Sequence, residues 1–145
     1  MDNVLLAQSF LAAMVHETPE VISGFLPENA CLYIRGHGRV QAYWSRPHVL
    51  VALSSEFAGW TEPVLRIWHS QTHGKTVVLA FQLSGRRYGH LTRLSRSILL
   101  VIDGRKVTLV QLHCDDELPG LAPQTWLVPL PLVDVLAQQL GVSTV

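Results

Sequence analysis

Apolar and polar positions follow two periods along this chain, helical over its first residues and mostly strand-like from about residue 30 onward. Val4, Ala7, Leu11 and Met14 recur at helical spacing, with Leu6, Phe10 and Ala13 widening the stripe, which predicts an amphipathic helix over residues 3–16. Thr18, Pro19 and Glu20 restart a helix. Thr18 suits the N-cap, and Pro19 at the first helical position has no N–H to lose; the segment should end near Gly24 or Leu26, before Pro27. Residues 30–35 form a compact β-favouring run between two turn-rich stretches, 27–29 and 36–38. From Arg39 to Phe57 the positions Val40, Tyr43, Trp44, Val49, Leu50, Leu53 and Phe57 suggest helix. Pro47 interrupts it, so a short helix through Trp44 and a second segment over 47–57 are expected.

The second half is richer in strand signals. Residues 63–71 carry Val64, Leu65, Ile67 and Trp68, and His73-Gly74 provides a turn into a strand over 75–83. Residues 84–87 read as a further turn, leading into a run over 88–102. Fifteen extended residues would reach about 50 Å, so that strand should bend or bulge, most plausibly around 95–97. Asp103-Gly104 is a strong hairpin signal, and 106–114 returns beside the long strand. Beyond it, Pro119, Pro123, Pro129 and Pro131 make an irregular crossing, and residues 131–140 read as a short terminal helix closed by Gly141.

Helix, helix, strand, helix and then a four-stranded meander resembles the cone-shaped α+β barrel of the nuclear transport factor 2-like (NTF2-like) superfamily, and within it the SnoaL-like group. The resemblance spans roughly residues 3–116. Its local support is Tyr33, Ile34, Arg35 and Gly36 followed by residues 40–44, matching that family's strand, glycine and helix opening, and the closing Asp103-Gly104-Arg105 hairpin with Asp115 ending the last strand. The resemblance implies three N-terminal helices packed on a curved, mainly antiparallel sheet, an apolar pocket within the cone, and a homodimer through the sheet's other face. Residues 1–116 would be that domain. Residues 117–145 would be an extension packing on it or on the partner subunit.

Composition narrows the function classes. The chain has 145 residues, enough for one domain with one core. Apolar residues make up 48% and charged ones 15%, so some apolar surface is expected to meet a second chain. Eleven basic residues balance eleven acidic ones, and the arginines are scattered, which argues against nucleic-acid binding. No apolar run approaches the roughly 18 residues that span a bilayer, and Met1-Asp2-Asn3 lacks the positive start of a secretory signal, so a cytoplasmic protein without a membrane partner is expected. Cys31 and Cys114 both fall on strands and read as buried hydrophobes, not a disulfide.

Candidate chemistry depends on which strand faces point inward. The resemblance includes epoxide hydrolases, whose inner-strand Arg and Asp and last-strand Asp fall here near Ala80 and Gln82 and on Leu112. None of these ionises, which argues against that reaction. With Ala80, Gln82, Val110 and Leu112 inward, the pocket is apolar with Gln82 as a polar fixture. The opposite parity aligns Gln111, His113 and Asp115, and His113 supported by Asp115 would then be a general base. Tyr33, Trp44, Trp60 and Trp68 are the large side chains best able to line a pocket with a hydrogen-bonding tip. His69 and His90 sit on strands that could neighbour each other, but His69 and His73 diverge across a turn and no Cys or carboxylate stands at ligand spacing, so no metal or cofactor is expected. The leading expectation is a binder of a small hydrophobic molecule. An isomerase, cyclase or dehydratase and a protein-assembly module are the alternatives.

Overall fold

A computed structural model of the chain describes residues 2–16, 18–36 and 39–114. Helix α1 (Asn3–His16) and the short α2 (Pro19–Ser23) are followed by strand β1 (Cys31–Gly36), and both helices lie where the periodicity places them. Pro19 opens α2 as expected. Strand β2 (Arg39–Trp44) then departs from the sequence reading, which expected helix there. The physical reason is long-range: β1 pairs β6 along one edge, and β2 takes up the hydrogen-bonding groups of the other, Leu32 opposite Tyr43 and Ile34 opposite Gln41. Cross-strand pairing thus overrides a weak helical pattern. Pro47 does not break a helix either; it lies in the first turn of α3 (Arg46–Glu56), where its missing N–H costs nothing.

Strands β3 (Trp60–His73), β4 (Thr76–Arg87), β5 (His90–Asp103) and β6 (Lys106–His113) form the expected antiparallel meander. The sheet order is β2-β1-β6-β5-β4-β3, with β1 and β6 parallel, so this α+β sheet is mixed, and among the described residues nothing pairs with the outer edges of β2 and β3. Among the described residues the sheet is curved and unclosed, not a barrel. The Gly104-Arg105 turn has both central residues left-handed, at φ 58° and 66°, the hairpin geometry that matches strand twist. The turn expected at 84–87 is instead strand. Gly85 lies against β3 so closely that a Cβ there would stand 3.2 Å from the Glu62 carbonyl oxygen, and β3 shifts register beside it, between Thr61 and Val64. The chain turns at Tyr88 and Gly89. Residues 95–97 pair in register with 80–82; the irregularity of β5 falls at Val101/Ile102.

The three described helices pack on one face of the sheet, the concave face. Leu6, Phe10, Leu11 and Met14 of α1, Ile22 of α2 and Val49 and Leu53 of α3 meet Leu32, Ile34, Val77, Leu79, Phe81, Ile98, Leu100, Val110 and Leu112 in one buried cluster. Each such side chain contributes roughly 1.5–3 kcal/mol by leaving water. A second, smaller cluster of Cys31, Tyr33, Val78, Leu99 and Leu109 lies on the outer face. Cys31 and Cys114 are both buried. Among the described residues no helix is long and apolar enough to cross a membrane.

Candidate functional site

Packing on the concave face is graded along the strands. Phe81, Leu83, Ile98 and Leu100 are sealed, whereas Leu65, Ile67, Thr92 and Leu94, farther along the same face, are only half-buried. This less tightly packed end is where the α3 C-terminus meets the sheet. Phe57, just past α3, stacks on Phe81 at 6.5 Å between ring centroids. Arg87 donates from Nη2 to the Glu56 carbonyl oxygen at 2.8 Å and from Nε to that of Ala58 at 3.0 Å, satisfying carbonyls the helix end leaves open. Its guanidinium also lies 5.7 Å from the Trp60 ring centroid.

Two polar features stand in this apolar setting. Arg96 alternates in phase with Leu94 and Ile98 and meets the Glu56 carboxylate at 3.4 Å; its side chain is 9% exposed, that of Glu56 29%. Cys114 approaches the same carboxylate oxygen at 3.8 Å. The Trp60 indole N–H is buried and has no hydrogen-bond partner among the described residues. Leaving such a donor unsatisfied costs about 1–3 kcal/mol. Glu56, Arg87 and Arg96 were missed from the sequence, Arg87 because it was assigned to a turn. The available signal for Arg96 was its place on the apolar side of the β5 alternation.

The residues singled out from sequence are divided between the two faces. Trp60 and Leu112 lie on the concave side, Leu112 fully buried opposite Ile34 and Ile98. Gln82 lies opposite Arg66 and Ser95 on the outer face, so Gln82 and Ala80 do not share a face with Val110 and Leu112. Tyr33 and Trp44 pack edge to face on the outer side at 5.8 Å. Trp68 sits at the second register shift of β3, 46% exposed. His113 aligns with Arg35 and Ser97 on the outer face and its Nε2 lies 3.0 Å from the Gln111 amide nitrogen. Burial, then the nearby Arg35 charge, lowers its pKa to about 4. Asp115 lies outside the described residues. His69 and His90 are not on neighbouring strands, since β4 runs between β3 and β5. Among the described residues, no three His, Cys, Asp or Glu side chains gather as a metal cluster would.

No protein-family model and no curated protein matches the sequence. Solved structures do match in fold. A Shewanella putrefaciens protein assigned as a SnoaL-like polyketide cyclase superposes with a TM-score of 0.65 at 17% identity, over 77% of this chain and 79% of that one. A Catenulispora acidiphila protein with a ketosteroid isomerase-like fold, in complex with trimethylamine, gives 0.60 at 15% identity, over 74% and 82%. An NTF2-like protein of unknown function from Cytophaga hutchinsonii gives 0.59 at 13%, over 83% and 96%. At these identities the likeness concerns the fold alone. The chain has an NTF2-like fold of the SnoaL-like type.

Proposed function

We propose that the protein binds a small molecule with a largely apolar body and one hydrogen-bond-accepting group, such as a carbonyl, at the less tightly packed end of the concave face. The observation that carries this reading is the buried Trp60 indole N–H, which has no partner among the described residues. Half-buried Leu65, Ile67 and Leu94 supply apolar contact for the ligand body, and the indole supplies one oriented donor. A small-molecule ligand is in keeping with the fold neighbours, one assigned as a SnoaL-like polyketide cyclase and one with a ketosteroid isomerase-like fold in complex with trimethylamine.

Catalysis of the isomerase, cyclase or dehydratase kind has weaker support. It needs a base whose pKa lies near the working pH. His113, at about 4, is far below that and stands on the opposite face from the helices, and the Glu56 carboxylate is engaged by Arg96. The test compares calorimetric titrations of 2-acetonaphthone and 2-ethylnaphthalene, which differ chiefly in the carbonyl. The ketone should bind more tightly, by the roughly 2- to 12-fold that one hydrogen bond of 0.5–1.5 kcal/mol confers, and Trp60→Phe should erase that preference while retaining the hydrocarbon. Binding of neither compound, or a ketone preference that survives in Trp60→Phe, would overturn the reading.

A further inference from the structure

On the reading that the less tightly packed end of the concave face takes a ligand, we infer that this ligand is an apolar carboxylic acid, its carboxylate held jointly by Arg87 and the Trp60 indole. The Arg87 side chain is half-buried, and its guanidinium carbon lies 5.7 Å from the Trp60 ring centroid and 5.7 Å from that of Tyr88. Two of its nitrogens are committed to the end of α3: Nε donates to the Ala58 carbonyl oxygen at 3.0 Å and Nη2 to that of Glu56 at 2.8 Å. The third, Nη1, has no acceptor among the described residues. The guanidinium thus stands beside the one indole whose own buried N–H also has no partner among the described residues. Two rings and two carbonyls fix its orientation before any ligand arrives.

The charge of Arg87 is unbalanced as well. Among the described residues no carboxylate pairs with it: Glu56, whose carbonyl it binds, turns its carboxylate to Arg96 at 3.4 Å, and Asp103 pairs with Lys75 at the far end of β4. His90, opposite Arg87 on β5, and Arg86 beside it bring no negative charge. The carboxyl end of α3 supplies only about half an elementary negative charge against a whole positive one. A half-buried cation with that surplus is costly among apolar rings unless a counter-charge meets it. A carboxylate meets both demands, because its two oxygens can accept from two donors at once, whereas a neutral carbonyl would satisfy the indole and leave the charge. The rest of the site is apolar. Leu83, four residues back along β4 and about 13 Å away, lies between Leu65 and Leu94 on the neighbouring strands. A ligand lying along β4 meets the donors at one end and these side chains at the other, the layout of an amphiphilic acid.

Calorimetric titration of the full chain with 2-naphthoate, 2-acetonaphthone and 2-ethylnaphthalene at pH 7 separates the acid from the neutral acceptor and from the bare rings. 2-Naphthoate should bind about 5- to 15-fold more tightly than the ketone, the difference between a charge-assisted and a neutral hydrogen bond. Arg87→Gln should remove that lead while the ketone keeps its own lead over the hydrocarbon. A ketone that binds the unaltered protein as well as the acid does would overturn the carboxylate and leave the Trp60 site standing. Binding of none of the three would overturn the site and the acid with it. An acid preference that survives in Arg87→Gln would overturn the part given to Arg87. Because Arg87 also ties the end of α3, the variant is checked by urea unfolding; where it is unfolded, the unaltered protein decides. Its Arg87 Nε–H signal in a ¹H–¹⁵N spectrum, assigned by its absence in Arg87→Lys, should move with 2-naphthoate and stay still with 2-ethylnaphthalene. A signal stationary with the acid would overturn the inference.

Discussion

His113 shows how a single side chain can be read correctly for its neighbours and still belong to the other side of the molecule. Strand alternation places it with Gln111, as the sequence allowed, but that shared face is the outer one. With the ring neutral, its Nε2 can accept from the Gln111 amide at 3.0 Å, an arrangement a protonated ring would lose. Burial and Arg35 hold its pKa near 4, below the ordinary 6.5. The unfolded chain therefore takes up this proton first as pH falls. The stabilisation should be complete above about pH 6.5, decline between 6.5 and 4, and change little from this group below 4. A shift of that size corresponds to at most about 3 kcal/mol, less because the ring is partly solvent-exposed. Urea unfolding at pH 7 and pH 4.5 should show the loss in the native chain, and His113→Gln should remove most of it. An unchanged pH slope in the variant would assign the acid sensitivity elsewhere.

Among the elements, α3 and β4 are joined by one side chain. Arg87 binds two carbonyls at the α3 C-terminus and covers the Trp60 ring, so it fixes both the helix end and the indole that faces the proposed ligand. Arg87→Ala should cost about 2–4 kcal/mol in denaturant unfolding, from two charge-assisted hydrogen bonds and a cation–π contact in a part-buried setting. A loss below about 0.5 kcal/mol would show that the tie is dispensable. This element-level connection was illegible from sequence because the Ser84–Arg87 stretch looked like a turn. Gly85 is there for close approach to β3, a need that only the paired strands reveal. The helices α1 and α2 and the meander were legible because each carries its own period or turn chemistry. Strand β2 was not, since what makes Arg39–Trp44 extended is the edge of β1 that it saturates.

For the whole molecule, the sheet's two faces do different work. The concave face holds the helices, the main core and the polar pair of Glu56 and Arg96; the outer face holds a smaller buried strip. Alternation within a strand was readable, but the phase between strands was not. Leu112 and Gln82 fall on opposite faces because pairing sets Leu112 against Ile98 and Gln82 against Ser95, on opposite sides of β5. Of the aromatic residues marked for a pocket, Trp60 therefore remains on the helix side, while Tyr33 and Trp44 pack on the other. Indole N–H resonances make Trp44, Trp60 and Trp68 separate reporters of the sheet. The most direct measurement is a two-dimensional ¹H–¹⁵N spectrum of the full chain titrated with 2-acetonaphthone. The Trp60 indole signal, assigned by its absence in Trp60→Phe, should move downfield as it donates to the ketone, with the Trp44 and Trp68 signals unchanged. A stationary Trp60 signal, or movement at Trp44 or Trp68 instead, would contradict a ligand site on the concave face.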